Sequence, residues 1–258
     1  MDLSLKDKVA WVLGASSGLG FATAASLARE GARVAISSRD ESALKKAADD
    51  IAAVAMPLDV THASAISTTA ARIEGELGPV DILVSNAGGP PPGGFDDLDD
   101  DALHGAFGLT TASAWHLAKA VVPSMKQRRT GCLIFLTSSS TKEVIPNLLL
   151  SNMMRAAVVG MAKTLSKELG PHGVRVLCVA PGRIETKRLV QLDQKASEKS
   201  KKSVEQVRSE AQARIPLGRY GSPPEFGDTV AFLASERASY ITGINVVVDG
   251  GMLSGVLS

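Results

Sequence analysis

Residues 9–20 read VAWVLGASSGLG, and this stretch decides the fold of the chain. A run of five apolar residues leads directly into a turn with three glycines, and a segment of helical period follows. Glycines permit a tight turn at which a phosphate can approach the first amides of a helix, whose dipole favours an anion. The stretch therefore predicts a strand, a phosphate-binding turn and a helix, in that order.

Short apolar runs alternate with segments of helical period along the rest of the chain. Such alternation predicts parallel strands joined by right-handed crossovers, with helices on both faces of one sheet. We expect an α/β protein with a doubly wound, seven-stranded parallel sheet, forming a single domain over residues 1–258. The expected strands are Val9–Leu13, Arg33–Ser37, Val54–Pro57, Val80–Ser85, Cys132–Thr137, Val174–Ala180 and Asn245–Val248. The expected helices lie near residues 19–30, 41–53, 62–77, 111–128, 152–169 and 224–235.

Two segments interrupt this alternation. Residues 88–94 read GGPPPGG and are expected to form a loop at the carboxyl end of the fourth strand, where open α/β sheets bind ligands. This loop is either a stiff connection or part of the site. Arg188–Arg214 is charged and helical in period, and it lies between the sixth strand and the next core helix. We expect a lid insertion at residues 188–214, with a solvated helical excursion as the alternative.

The composition is that of an ordinary globular protein, with 45% hydrophobic and 21% charged residues and a net charge of +1. This balance gives no indication of nucleic acid or of a membrane partner, and no signal-peptide pattern begins the chain. We therefore expect a cytoplasmic protein. Cys132 and Cys178 are expected to be buried core residues. No metal site is expected, because no metal-ligand spacing is present among His62, His104, His116 and His172.

The spacing G-x-x-x-G-x-G resembles that of the short-chain dehydrogenase/reductase family, and further motifs follow in the order of that family. The resemblance covers residues 6–251 and implies a Rossmann-like fold that binds a nicotinamide dinucleotide. The motifs that carry it are Leu58-Asp59-Val60, Asn86-Ala87-Gly88, Ser138, Pro181-Gly182, Thr186, Arg214–Arg219, Tyr240–Gly243 and Val248–Gly251.

The resemblance also implies the contacts of the cofactor. Asp59 looks like the residue at the adenine ring, and Thr186 looks like the contact of the nicotinamide amide. Leu13 and Ser85 depart from the family pattern, since a threonine usually braces the glycine turn and an asparagine usually precedes Asn86. The implied cofactor-binding residues are Gly14, Ser16, Ser17, Gly18, Leu19, Gly20, Ser38, Arg39, Asp59, Val60, Asn86, Ala87, Gly88, Arg155, Pro181, Gly182, Ile184 and Thr186.

The end of the second strand bears on the choice between NAD(H) and NADP(H). An acidic residue at this place would bind the ribose 2′-hydroxyl and repel a 2′-phosphate, but the chain has Ser38 and Arg39 there. A guanidinium can pair with a phosphate through two hydrogen bonds. We therefore expect NADP(H) to be preferred over NAD(H). The alternative is that Arg39 is only a solvated residue and that Asp40 only caps the next helix.

The catalytic positions of the family are rewritten in this chain. The family uses asparagine, serine, tyrosine and lysine, and the matching positions here hold Thr110, Ser138, Ser151 and Arg155. A serine hydroxyl is far less acidic than a phenol, and an arginine stays protonated. The guanidinium still offers a charge and five donors, which can stabilise an oxyanion while water supplies the proton. We expect Ser138, Ser151 and Arg155 to form the catalytic set.

The altered positions resemble a divergent branch of the family that is similar to 3-ketoacyl-carrier-protein reductases. We expect an NADP(H)-dependent oxidoreductase that acts on a small carbonyl or alcohol substrate. The alternative is a cofactor-binding pseudoenzyme without turnover. The resemblance also implies a homodimer or homotetramer that packs through helices 111–128 and 152–169.

Overall fold

A computed structural model of the chain describes residues 1–255, and its core is one parallel sheet of seven strands. The strand order is β3-β2-β1-β4-β5-β6-β7, which confirms the doubly wound topology expected from the sequence. Because the order reverses beside β1, the carboxyl ends of β1 and β4 flank the crevice in which such sheets bind ligands. The strands are β1 (Val9–Leu13), β2 (Arg33–Ser37), β3 (Val54–Ala55), β4 (Ile82–Ser85), β5 (Gly131–Leu136), β6 (Val174–Pro181) and β7 (Asn245–Val248).

Two strands are shorter than the sequence indicates. Strand β3 pairs with β2 only through Val54 and Ala55, at the edge of the sheet. Strand β4 begins at Ile82 rather than Val80, because the side chain of Asp81 accepts the hydrogen bond from the Val9 amide at 2.9 Å.

Several helices begin after a capping side chain, and the first begins at the glycine turn. Asp40 and Asp99 each accept a hydrogen bond from the amide three residues later, and Ser222 forms a reciprocal capping box with Glu225. Within residues 1–255, no helix combines the length and apolar character that crossing a membrane requires. The helices are α1 (Gly18–Arg29), α2 (Glu41–Ile51), α3 (Ala63–Leu77), α4 (Asp100–Ala106), α5 (Ser113–Arg128), α6 (Leu149–Leu169), α7 (Lys187–Ser200), α8 (Val204–Gln212) and α9 (Pro223–Ala234).

The sheet is covered on both faces, so alternate residues of each central strand enter opposite cores. Ala10 and Val12 of β1 pack with α1, α2 and α9, whereas Trp11 and Leu13 pack with α3, α5 and α6. Cys132 and Cys178 are both free and buried, as expected. Burial raises the pKa of Cys132 to about 11 and that of Cys178 to about 12, so neither thiol ionises readily.

Two helix boundaries near the site differ from the expected ones. The helix expected at residue 111 starts with a π-helical segment, Phe107–Ala112, and α5 proper begins at Ser113. Helix α6 begins at Leu149, three residues earlier than expected, so that Ser151 lies inside its first turn.

The two interrupting segments take different forms. Residues 88–94 lack helix, and Gly93 forms a single parallel bridge to Leu148, with its amide donating to the Asn147 carbonyl at 2.8 Å. The loop is therefore attached to the chain that enters α6. Helices α7 and α8 occupy most of residues 188–214. The movement of this segment as a lid stays a prediction.

The crossing of α1 and α9 depends on a glycine. A Cβ atom on Gly227 would lie 2.4 Å from the Ala22 carbonyl oxygen and 2.8 Å from the Ser26 hydroxyl. We expect Gly227→Ala to lower the free energy of unfolding by about 1–3 kcal/mol in urea denaturation, because the helices must separate. Gly75→Ala is the control, since nothing lies within 4 Å of the added methyl group. It should raise stability by about 0.5–1 kcal/mol, and equal effects of both changes would contradict this packing.

Candidate active site

The glycine turn forms the floor of the crevice at the end of β1. Gly14 and Gly18 have φ angles of +59° and +62°, which side-chain-bearing residues rarely adopt. A Cβ atom on Gly20 would lie 2.3 Å from the Gly14 carbonyl oxygen, so the turn closes only with glycine there. The Ser17 side chain does not cap α1, and the first turn of that helix holds no acid. Its first amides are therefore open to an anion.

Residues that follow two other strands meet around this turn. Asn86, after β4, donates from its side-chain amide to the Gly14 carbonyl at 3.2 Å. Thr186, after β6, lies 3.6 Å from the position that a Cβ atom on Gly18 would occupy, and it caps α7. Asn86 thus braces the turn whose usual threonine is replaced by the fully buried Leu13. The uncapped first amides of α1, beside Gly18 and Thr186, are the donors of a cradle that would hold the diphosphate of a dinucleotide.

The adenosine end of the crevice is formed after β2 and β3. The Asp59 carboxylate accepts hydrogen bonds from the amide and hydroxyl of Thr61, at 2.9 and 2.7 Å. The Thr61 amide, more than the nearby charge of Arg39, holds the pKa of Asp59 below its usual value. Arg39 is exposed and has no ion pair within the described part of the chain. Asp40 caps α2, which is one part of the alternative stated for this segment. Because the Asp40 carboxylate is engaged by the Ala43 amide, the Arg39 guanidinium is available to a phosphate.

The remaining implied cofactor contacts lie along the same edge of the sheet. Pro181 ends β6, and the Gly182 amide donates to the Val248 carbonyl at 2.9 Å. Ile184 is buried and forms a bridge to Gly221. Ser16, Ser17 and Leu19 belong to the glycine turn and the start of α1, Ser38 follows β2, and Val60 follows Asp59. Their contacts with a cofactor stay predictions.

The two serines expected in catalysis lie at the two ends of the segment that joins β5 to α6. The Ser138 hydroxyl oxygen accepts a hydrogen bond from the Ser140 amide at 3.1 Å, so its own proton is free for another acceptor. Ser151 is half-buried in the first turn of α6, and among residues 1–255 its side chain has no hydrogen-bond partner. Both hydroxyls can therefore donate to a ligand.

Arg155 is held at the carboxyl edge of the sheet, one turn of α6 after Ser151. Its guanidinium donates to the Leu136 carbonyl, at the end of β5, at 2.7 Å and to the Ala87 carbonyl, after β4, at 3.0 Å. The side chain is buried, and no carboxylate of the described residues pairs with it. Burial lowers the pKa of Arg155 to about 10, so the group remains a cation at neutral pH.

Some buried polar atoms in the segments that adjoin α6, and in α6 itself, have no hydrogen-bond partner. Among the residues described, they include the Thr110 and Ser140 hydroxyls and the Asn152 side-chain oxygen. Thr110 lies in the π-helical segment, and the next residue, Thr111, donates to the Met154 carbonyl at 3.4 Å. The π-helical segment thus adjoins α6 beside Arg155. Sequence reasoning identified Thr110 but missed Ser140 and Asn152, for which no motif gave a signal.

Neither tyrosine of the chain supplies the missing phenol. Tyr220 is 5% exposed, and its hydroxyl donates to the buried Asp193 of α7 at 3.0 Å. Burial raises the pKa of Tyr220 above its usual value. Tyr240 is fully exposed at the start of the segment before β7. Tyr220 is therefore a structural anchor of α7.

The fold and the crevice at the carboxyl ends of β1 and β4 together define a dinucleotide-binding protein of the doubly wound α/β class. A protein-family model described as enoyl-(acyl carrier protein) reductase matches residues 14–253. The chain belongs to the short-chain dehydrogenase/reductase family.

Relatives and a solved structure give the same assignment. The chain is 35% identical to the 3-oxoacyl-[acyl-carrier-protein] reductase FabG of Salmonella typhimurium, over 97% of this chain and 99% of FabG. It is 30% identical to the NADPH-dependent reductase BacG of Bacillus subtilis, over 98% of this chain and 100% of BacG. The L-sorbose reductase of Gluconobacter frateurii, solved with NADPH and L-sorbose, superposes with a TM-score of 0.92 at 28% identity. That match covers 99% of this chain and 100% of the reductase.

The free guanidinium of Arg39 predicts how the two cofactors are distinguished. We expect Arg39→Ala to weaken NADPH binding about ten- to a hundredfold, because it removes a charge-assisted contact with the 2′-phosphate. NADH, which lacks this phosphate, should bind the variant and the wild type equally well. Dissociation constants from cofactor fluorescence measure both effects. Equal affinity of the wild type for NADPH and NADH would contradict the prediction.

Proposed function

We propose that the protein is an NADP(H)-dependent oxidoreductase that acts on a carbonyl or alcohol substrate. NADP(H) is the cofactor. One observation carries the proposal: consecutive residues connect the cofactor cradle to the rewritten catalytic position. Asn86 braces the glycine turn, and the carbonyl of Ala87, the next residue, accepts a hydrogen bond from Arg155. The guanidinium is therefore held at the edge of the sheet where the cradle opens.

The residues of the chain orient the carbonyl and stabilise negative charge on its oxygen. Bound NADPH supplies a hydride to the carbonyl carbon, and the oxygen takes one proton to give the alcohol. The free proton of Ser138 and the unpartnered hydroxyl of Ser151 can donate hydrogen bonds to that oxygen. Arg155 presents a desolvated positive charge, which stabilises an alkoxide more strongly than a solvated one does.

The proton itself comes from water in this proposal. A serine hydroxyl is too weak an acid to replace the phenol, whose pKa is near 10. The Arg155 guanidinium has two of its nitrogens bound to the Leu136 and Ala87 carbonyls and stays a cation, so it holds charge rather than relaying a proton. Because neither side chain is a ready proton donor, we expect slow turnover of simple ketones.

The second candidate is a cofactor-binding protein without turnover. It is favoured by the two bonds of Arg155 to main-chain carbonyls, since these give the residue a structural role that needs no substrate. NADPH binding alone does not separate the two functions. Consumption of NADPH with ketones, aldehydes and ketoacyl thioesters separates them.

Replacement of Arg155 tests its contribution to turnover. Loss of a preorganised donor to an oxyanion costs about a hundred- to a thousandfold in kcat, and we expect this loss in Arg155→Ala. NADPH consumption measures the rate, and NADPH binding and the thermal transition report whether the fold survives. A variant that binds NADPH and keeps the wild-type kcat would contradict the assignment.

A double substitution tests whether the rewritten positions are responsible for slow turnover. Ser151→Tyr with Arg155→Lys places a phenol and an ammonium one helical turn apart on α6. We expect carbonyl reduction of simple ketones to rise, because general acid catalysis contributes about a hundred- to ten-thousandfold. Ser151→Tyr alone should gain less. A brisk wild-type activity that the double variant loses would instead show that Ser151 and Arg155 form a distinct working site.

The proposal includes assembly into a homodimer or homotetramer through α5 and α6. Helix α6 exposes a surface of small and apolar residues, which allows a second helix to approach closely: Met153, Ala156, Ala157 and Gly160. Closed symmetry is the usual state of such oligomers. Light scattering at micromolar concentration should give a multiple of the 26.8 kDa chain mass, and a monomer alone would contradict this assembly.

A further inference from the structure

The first turn of α7 carries two cations where a helix disfavours them. Lys187 and Arg188 follow the capping residue Thr186, and no acid lies in this turn. The positive end of a helix dipole repels cations, so this placement opposes the stability of the helix. Arg188 is exposed and makes no ion pair with any carboxylate in residues 1–255. Its charge therefore lacks a structural explanation within the helix.

Arg188 and Arg155 approach the same short segment of the chain. The Arg188 guanidinium lies 3.8 Å from the position that a Cβ atom on Gly89 would occupy. The Arg155 guanidinium donates to the carbonyl of Ala87 at 3.0 Å. Ala87 and Gly89 are two residues apart and are separated by at most about 7 Å. The buried Arg155 guanidinium thus approaches this segment from α6, and the exposed Arg188 guanidinium approaches it from α7.

Few free carboxylates are available to balance these two groups: Glu185, three residues before Arg188, pairs with Arg208, and Asp193 of α7 pairs with Arg183. No aspartate or glutamate occurs in residues 85–94, 131–142 or 149–167, which form the Gly/Pro loop, β5 with its following turn, and most of α6. Arg155 is 8% exposed, and a buried charge normally has a partner of opposite sign. Its partner can therefore be a ligand rather than a residue of the protein.

We propose that Arg188 forms an anion site that selects carbonyl substrates bearing a carboxylate, beside the Arg155 charge that acts on the carbonyl oxygen. The inference rests on the proposed function and names the substrate class of that same site. A planar carboxylate matches the paired donors of a guanidinium, and Arg188 supplies such donors at the opening of the crevice. The diphosphate of the cofactor is the other source of an anion, and the glycine turn already offers it the amides of α1.

The test compares acids with their neutral amides on the NADPH-saturated protein. The probes are 2-oxobutanoate, 3-oxobutanoate and 4-oxopentanoate, each beside its primary amide, and both ternary binding and kcat/KM are measured. We expect the preferred acid to exceed its amide about ten- to a hundredfold, the range of one charge-assisted contact. Arg188→Gln should remove most of this preference and leave the amide unchanged.

Lys195→Gln is the matched control, because it removes an exposed positive charge from the same helix, about two turns further from Gly89. It should behave as the wild type.

Equal binding of acids and amides by the wild type would overturn the anion site, even if both are reduced and the proposed function stands. A large rise in the NADPH dissociation constant of Arg188→Gln would also overturn it, because Arg188 would then serve the cofactor phosphates. Acids that bind in preference to amides without being reduced would support the site and overturn the proposed function.

Discussion

The buried guanidinium of Arg155 connects the parts of this protein that concern function. It bonds to the last residue of β5 and to the chain after β4, and it projects from α6, so it connects three parts of the fold. A lysine has a single nitrogen, whereas the guanidinium reaches both carbonyls through separate nitrogens in a fixed plane. The replacement at this position therefore changes the architecture of the crevice as well as its acid–base chemistry. The cost of burying the charge is offset in part by these two hydrogen bonds.

The cofactor motifs and the catalytic motifs of the family are kept to different extents in this sequence. The glycine turn is braced through Asn86 where Leu13 stands, and the first amides of α1 are open to an anion. The proposed catalytic positions instead combine two hydroxyls with a cation, and the hydroxyls of Thr110 and Ser140 are buried without a partner. These groups suit the stabilisation of negative charge better than the transfer of a proton.

The sheet could be predicted from the sequence, because apolar runs of strand length and the glycine turn are local signals. Right-handed crossovers between parallel strands then leave few possible strand orders. The start of β4 was predicted two residues too early. There the Asp81 side chain, rather than a main-chain carbonyl, accepts the hydrogen bond from the Val9 amide. The π-helical segment beside α6 was also missed, since no local residue pattern marks it. The partners of Arg155 were beyond local reasoning because they are backbone atoms 19 and 68 residues away. Arg188 did leave a signal, namely a basic first turn without acids, but its proximity to Gly89 required the fold.

The most direct test of the account is to follow the hydride itself. NADPH deuterated at C4 of the nicotinamide would be incubated with the wild-type protein and a panel of carbonyl compounds, including keto acids, and the products examined by mass spectrometry. The account predicts an alcohol that carries deuterium at the former carbonyl carbon, formed by the wild type and greatly reduced in Arg155→Ala. Saturation with NADPH and no deuterium in any product would contradict it and would identify the protein as a cofactor-binding protein without turnover.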